Sequence, residues 1–151
     1  MTQKIRFTQA DRQGWMGILA RSDADQLAAL FGPDLPPHQL LRAPEIGTVM
    51  VQARVAVTGA PFNLGEMVIT RAAVELPCGT VGHAQVQGRS KPHALMAALV
   101  DAQMQTEDAP HMRAKVLDPL ASAAAQVKAN RAAHAAATKV EFFTLVRGED
   151  A

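Results

Sequence analysis

The chain has almost no cysteine and no tyrosine: Cys78 stands alone, and five Phe and one Trp supply every aromatic side chain. A single thiol cannot close an internal disulfide, which removes disulfide-built extracellular scaffolds and cysteine-based metal sites from consideration. Charge of either sign is not in excess, since 15 basic and 14 acidic residues leave a net charge of +1. No helix or strand carries the basic stripe that tracks a phosphate backbone, so no nucleic acid is expected as a partner. No apolar run reaches the roughly 18 residues of a membrane span. The N-terminal stretch mixes Lys4, Arg6, Asp11 and Arg12 and lacks the apolar core of a signal peptide. These absences leave a cytoplasmic, non-membrane protein as the expectation.

What is present is apolar but small. A hydrophobic content of 48% over 151 residues excludes disorder and suits one domain spanning 1–151. Alanine and valine dominate that content, and alanine buries little area. Such a core leans on a partner for part of its stability.

Residues 8 to 31 read as a helix, capped by Thr8 with Asp11 at the N3 position and a break near Arg21 and Ser22. Gly32 and Pro33 end it, and Asp34 to Pro37 form a linker. From Val49 to Val57 the odd positions are apolar and the even ones include Gln52 and Arg54, the period-two pattern of a strand. Gly59 to Asn63 read as a connection. A second strand spans 66 to 76, and a third runs from Thr80 to about Gln87.

Turn chemistry decides the register of these last two strands. A two-residue loop at Cys78 and Gly79 would set Leu76 opposite Val81 and Ala72 opposite Gln85, mixing the faces. A three-residue loop through Gly79 sets Thr80 opposite Leu76, Val74 opposite Gly82, Ala72 opposite Ala84 and Thr70 opposite Val86. The second register is expected, because a one-residue slip inverts every side chain. It gathers Gln52, Arg54, Arg71, Glu75, His83, Gln85 and Gln87 on the outer face, with Met50 and Ile69 between them. Small Gly82 and Ala84 on the inner face leave room for a helix.

That helix is capped by Ser90, takes Pro92 in its first turn, and runs from His93 to about Gln105. Another begins at Asp118-Pro119, an Asp cap followed by Pro, and continues to about Ala137 with a weak stripe of Leu120, Ala124, Val127 and Arg131. Lys139 to Val146 reads as a strand or as an arm that pairs with a neighbour. The expected class is therefore α+β: an antiparallel sheet of at least three strands, helices on one face, and a C-terminal arm at about 139–151.

Catalytic constellations are missing. No phosphate-binding Gly-rich loop, dinucleotide fingerprint or nucleophile elbow is present. His83, His93, His111 and His134 form no metal-binding pair at i, i+4 spacing. The strongest local signal is Gly88 to His93, which leaves a strand and opens a helix. Arg89, Ser90, Lys91 and His93 there are candidates for holding an anion, while an ordinary capped helix start explains the same residues. His93 and Asp101 share a helix face but lie two turns apart, too far for a direct pair. The outer sheet face also carries two readings, a solvated cluster of Arg54, Arg71 and Glu75 or a contact surface for another subunit. Gln52, Arg54, Arg71, Gln85, Gln87, Phe142, Phe143 and Arg147 are the candidates for such a contact. Adjacent Phe142 and Phe143 would point to opposite sides of a strand, so a small domain struggles to bury both.

Several blocks carry a family resemblance: Arg12 to Met16, Arg42 to Gly47, Gln52 to Arg54, Phe62 to Glu66, Thr70 to Val74, Gly88 to Ala94 and Val140 to Gly148. Taken together they resemble the G subunit family of the carbon–phosphorus lyase core complex, with residues 104 to 139 matching least. The resemblance implies assembly with H, I and J subunits during phosphonate breakdown. It implies support for a transferase that replaces adenine of a purine nucleoside triphosphate by a phosphonate, giving an α-D-ribose 1-(alkyl)phosphonate 5-triphosphate. It brings no catalytic residue and no cofactor to this subunit. The expectation is an accessory subunit; the alternative is a direct contributor to a shared active site through the Arg89–Lys91 helix start. The isolated chain is a candidate for self-dimerisation.

Overall fold

The structure, a computed structural model, describes residues 7–56 and 58–139. Helix α1 (Gln9–Arg21) starts where Thr8 and Asp11 close a reciprocal capping box. The Asp11 amide donates to the Thr8 hydroxyl at 3.1 Å and the Thr8 amide donates to the Asp11 carboxylate at 2.9 Å. The expected break is real. Ser22 is extended, and Asp23 caps a second helix, α2 (Ala24–Phe31), by accepting from the Asp25 and Gln26 amides.

Strands β1 (Gln39–Arg54), β2 (Pro61–Glu75) and β3 (Val81–Gln87) form a three-stranded antiparallel sheet in that order. The β2–β3 register is the one the three-residue loop demands: Thr70 faces Val86, Ala72 faces Ala84 and Val74 faces Gly82. The Leu76 amide closes the loop on the Thr80 carbonyl at 2.9 Å, and Gly79 takes a positive φ of 80° that a side chain would resist.

β1 departs from expectation in extent and in face. It begins at Gln39 rather than Val49 and ends at Arg54, while β2 begins at Pro61, so Pro61, Phe62 and Asn63 are strand and not connection. Register shifts at Leu40/Arg42 and Arg42/Glu45 break the alternation early in β1, which erases its period-two signature. A further shift falls at Val51/Gln52. Before it, Val49 and Val51 pair with Met67 and Gly65 on the outer face, and Met50 pairs with Glu66 on the inner one. The extra residue at the shift is Leu64 of β2, so β1 itself keeps alternating: Gln52 and Arg54, paired with Asn63 and Pro61, stay on the side of Met50. The expected grouping of Met50 with Gln52 and Arg54 holds, but their face is the inner one, opposite Arg71, Gln85 and Gln87, because the shifts around Arg42 and Glu45 set the register of the whole strand.

Helix α3 (Lys91–Gln103) packs on the inner face and is apolar nearly all round, with Ala94, Ala98, Leu99, Val100 and Ala102 fully buried. Its close approach depends on Gly82, where a Cβ would collide with the Ala98 carbonyl and with Ala102. Trp15 and Leu19 from α1, Leu27 and Phe31 from α2, and Val74 and Val86 from the sheet complete one core around it.

The helical path then runs from α4 (Ala109–Met112) through a π turn (Arg113–Leu117) into α5 (Asp118–Ala137). Asp118 is therefore not a cap. Its side chain makes no capping bond, and its N–H donates back to the Arg113 carbonyl. Pro119 has no N–H and crowds the carbonyl of an ordinary helical turn, and the wider π turn accommodates it. Met112, Val116, Leu117 and Leu120 anchor this path, whereas residues 124–137 are exposed on every side.

Candidate interaction site

The two outer strands of the sheet end in opposite ways. β3 directs backbone groups outward, and side chains of α3 and of the turn just after it take up two of them. The His83 amide donates to Asp101 Oδ2 at 2.8 Å, and the Val81 carbonyl accepts from Gln105 Nε2 at 2.9 Å. Asp101 is fully buried and ties α1 to the same place. Arg12 Nε and Nη2 reach its two oxygens at 3.2 and 2.7 Å, and Trp15 Nε1 donates at 2.8 Å. These donors fill the acceptor sites of the carboxylate, so Asp101 is a structural joint with no capacity left for a substrate.

His93 is buried at the start of α3. Its Nε2 meets the Leu19 carbonyl at 2.9 Å and the Ser22 hydroxyl at 3.1 Å, stitching α3 to the break between α1 and α2. Burial lowers its pKa, with the Leu19 carbonyl and Asp23 acting in the other direction. Ser90 caps α3 by accepting from the His93 amide at 3.3 Å, while Arg89 and Lys91 are exposed beside it. Of the four anion candidates, Arg89 and Lys91 face solvent, Ser90 is engaged by the helix backbone, and the His93 ring turns inward.

The outer face gathers three contact candidates. Arg71 stands opposite Gln85 and Gln87 opposite Ile69, whereas Gln52 and Arg54 lie further out along β1 on the side of Met50. Arg71 does not pair with Glu75 as a simple salt-bridge cluster would have it. Its Nη2 lies 3.7 Å from Glu45 Oε1, which also takes Arg42 at 3.1 Å. Arg54 donates to the Gly59 carbonyl at 3.2 Å and braces the hairpin turn. Ile69 is buried on this face, at the floor of a groove of about 320 Å³ that α1 borders with Gln13, Met16 and Arg21. Phe142, Phe143 and Arg147 lie outside the described residues.

β1 pairs only with β2, and its other edge has no strand beside it among the described residues. Past the end of β3, the hairpin continues as a two-stranded ribbon. It exposes Met50, Phe62 and Leu64 at 52, 40 and 65%. Met50 pairs with Glu66 on the inner face, while Phe62 pairs with Ala53 on the other, so the ribbon shows large apolar side chains on both of its faces. Sequence reasoning missed Phe62 by assigning Gly59 to Asn63 to a connection, and Leu64 by starting the second strand at residue 66. Their alternation with polar Asn63 was the available signal.

Among the described residues no group of three His, Cys, Asp or Glu side chains is placed to hold a metal ion. No described helix is long and apolar enough to cross a membrane. The family model described as "Phosphonate metabolism protein PhnG" matches residues 10–148. The chain is also 42% identical over 146 residues to alpha-D-ribose 1-methylphosphonate 5-triphosphate synthase subunit PhnG of Rhizobium meliloti (strain 1021), covering 93% of this chain and 92% of that protein. A match of this length and identity places the sheet, the ribbon and α3 inside one family, and the chain belongs to the PhnG family of phosphonate metabolism proteins.

Proposed function

We propose that the chain is an accessory, cytoplasmic subunit of the carbon–phosphorus lyase core complex, contributing partner-binding surface in place of catalytic groups or a cofactor. In that role it joins H, I and J subunits and supports formation of an α-D-ribose 1-(alkyl)phosphonate 5-triphosphate from a purine nucleoside triphosphate and a phosphonate. The observation that carries this reading is the ribbon, where Met50, Phe62 and Leu64 are exposed beside a strand edge that is unpaired among the described residues. Two-stranded hairpins are marginal in water by themselves, and large apolar side chains exposed on one belong in an interface. The saturation of Asp101 and the inward turn of His93 add support, since both ionisable groups in the core are consumed by packing. The terminal run with Phe142, Phe143 and Arg147 offers a second contact.

The test is co-expression of the M50K/L64K variant with the partner subunits. Both positions are exposed, so the variant folds; it is expected to lose co-purification and the triphosphate product together. Stoichiometric, active complex built with this variant would remove the ribbon from the interface and with it the main support for the role.

A further inference from the structure

The outer face contains a second hollow, of about 370 Å³, bordered by Arg42, Arg71, His83 and Gln85. The register brings these side chains together. Arg71 stands opposite Gln85, and Ala73, next along the same face, stands opposite both Arg42 and His83. Ala73 is buried and ends at its methyl group, so it forms a floor between four longer side chains.

The charges here do not balance locally. Glu45 is one carboxylate for two guanidiniums, and it is hydrogen-bonded to Arg42 at 3.1 Å. At 3.7 Å from Arg71 it is beyond hydrogen-bond length. The Arg71 side chain makes no hydrogen bond among the described residues, and its Nε–H is buried without an acceptor. The His83 ring and the Gln85 amide are likewise unused by other side chains. Gly47 contributes by absence: a Cβ there would sit 3.1 Å from Arg71 Nη2, so the guanidinium rests across bare β1 backbone. A guanidinium held in place, partly desolvated and lacking an acceptor has a strong demand for one.

We propose that this hollow binds an oxyanion, with Arg71 as the principal donor, Arg42 as a second cation, and His83 and Gln85 as orienting hydrogen-bond partners. The planar fork of arginine matches the paired oxygens of a carboxylate, phosphate or phosphonate. The site lies where β2 is flanked by both β1 and β3, away from the exposed ribbon, so it stands or falls separately from the accessory role.

Titration of the full-length chain with inorganic phosphate, and separately with methylphosphonate, followed by amide NMR shifts, tests the site. Saturable shifts are expected at Gly47, Ala73, His83 and Gln85. R71Q should weaken binding at least tenfold, R71K should restore only part of it because the fork is lost, and R42Q, at an exposed position, should weaken it several-fold. The assembled complex separates the sources of the oxyanion. Normal assembly of R71Q with lost phosphate binding identifies a free phosphate or phosphonate. Weakened assembly of R71Q identifies a carboxylate supplied by a partner subunit. Shifts in R71Q equal to those of the wild type would overturn the proposal. So would a wild type without saturable shifts whose R71Q variant assembles normally.

Discussion

The β3 and β1 edges belong to one sheet and receive opposite treatment. At β3, the buried carboxylate of α3 and the Gln105 amide just beyond that helix take up the His83 N–H and the Val81 carbonyl, and α1 is locked beside them through Arg12 and Trp15. At β1, no strand follows among the described residues, and Met50, Phe62 and Leu64 of the adjoining ribbon are exposed to water. An edge strand is a template for further pairing, and proteins block it unless pairing is wanted. The contrast teaches that buried polar chemistry closes one side of this sheet, while the other side has no such cover among the described residues.

The comparison is broken most severely at Asp101. Asp101→Ala leaves the Arg12 guanidinium, the Trp15 N–H and the His83 N–H without their acceptor, and should cost about 3–5 kcal/mol in urea unfolding. Asp101→Asn keeps an acceptor oxygen and should cost clearly less. Next comes Gly82→Ala, which forces α3 off the inner face and should cost about 3 kcal/mol, the upper end for overpacking. A cost below 1 kcal/mol would mean that α3 has room to shift.

A smaller effect concerns pH. The folded-state pKa of His93 is lowered chiefly by burial, against the Leu19 carbonyl and Asp23. As pH falls through about 6.5, the unfolded imidazole takes up a proton before the folded one does. The unfolded state then binds more protons, so stability declines with falling pH in that window and is level above it. Melting temperatures measured between pH 7.5 and 5 should show this decline, and His93→Gln should flatten it. The smallest effect on the fold is expected from M50K/L64K, within about 0.5 kcal/mol for the isolated chain. If that variant unfolds the isolated chain, the ribbon is part of the core and the two edges are more alike than their exposure indicates.

Legibility in the sequence followed the range of the interactions. The β2–β3 register could be read because Pro77-Cys78-Gly79 sets a loop length and small residues mark the inner face. The capping box at Thr8 and Asp11 and the Ser90 cap were readable for the same reason, being settled within a few residues. The start of β1 was not, since two register shifts around Arg42 and Pro44 hide the strand as an irregular stretch. Asp118-Pro119 imitated a helix start, because a π turn leaves no composition signal. Asp101 escaped notice as an organising residue, since its partners Arg12 and Trp15 stand 89 and 86 positions away. Of the outer-face candidates, Arg71, Gln85 and Gln87 were legible from the β2–β3 loop. Gln52 and Arg54 instead keep company with Met50 on the inner side, since the early β1 shifts that set their register left no pattern to read.

The β1 edge, unpaired among the described residues, also sets a demand on synthesis under the proposed role. Every copy made in excess of the partner proposed to cover it would carry an exposed pairing template bordered by apolar side chains. Such a chain is an aggregation hazard until it is matched. For a cell, the consequence is one of stoichiometry: the supply of this chain has to follow that of its covering surface closely, and an imbalance would be felt as insoluble protein before it was felt as lost activity.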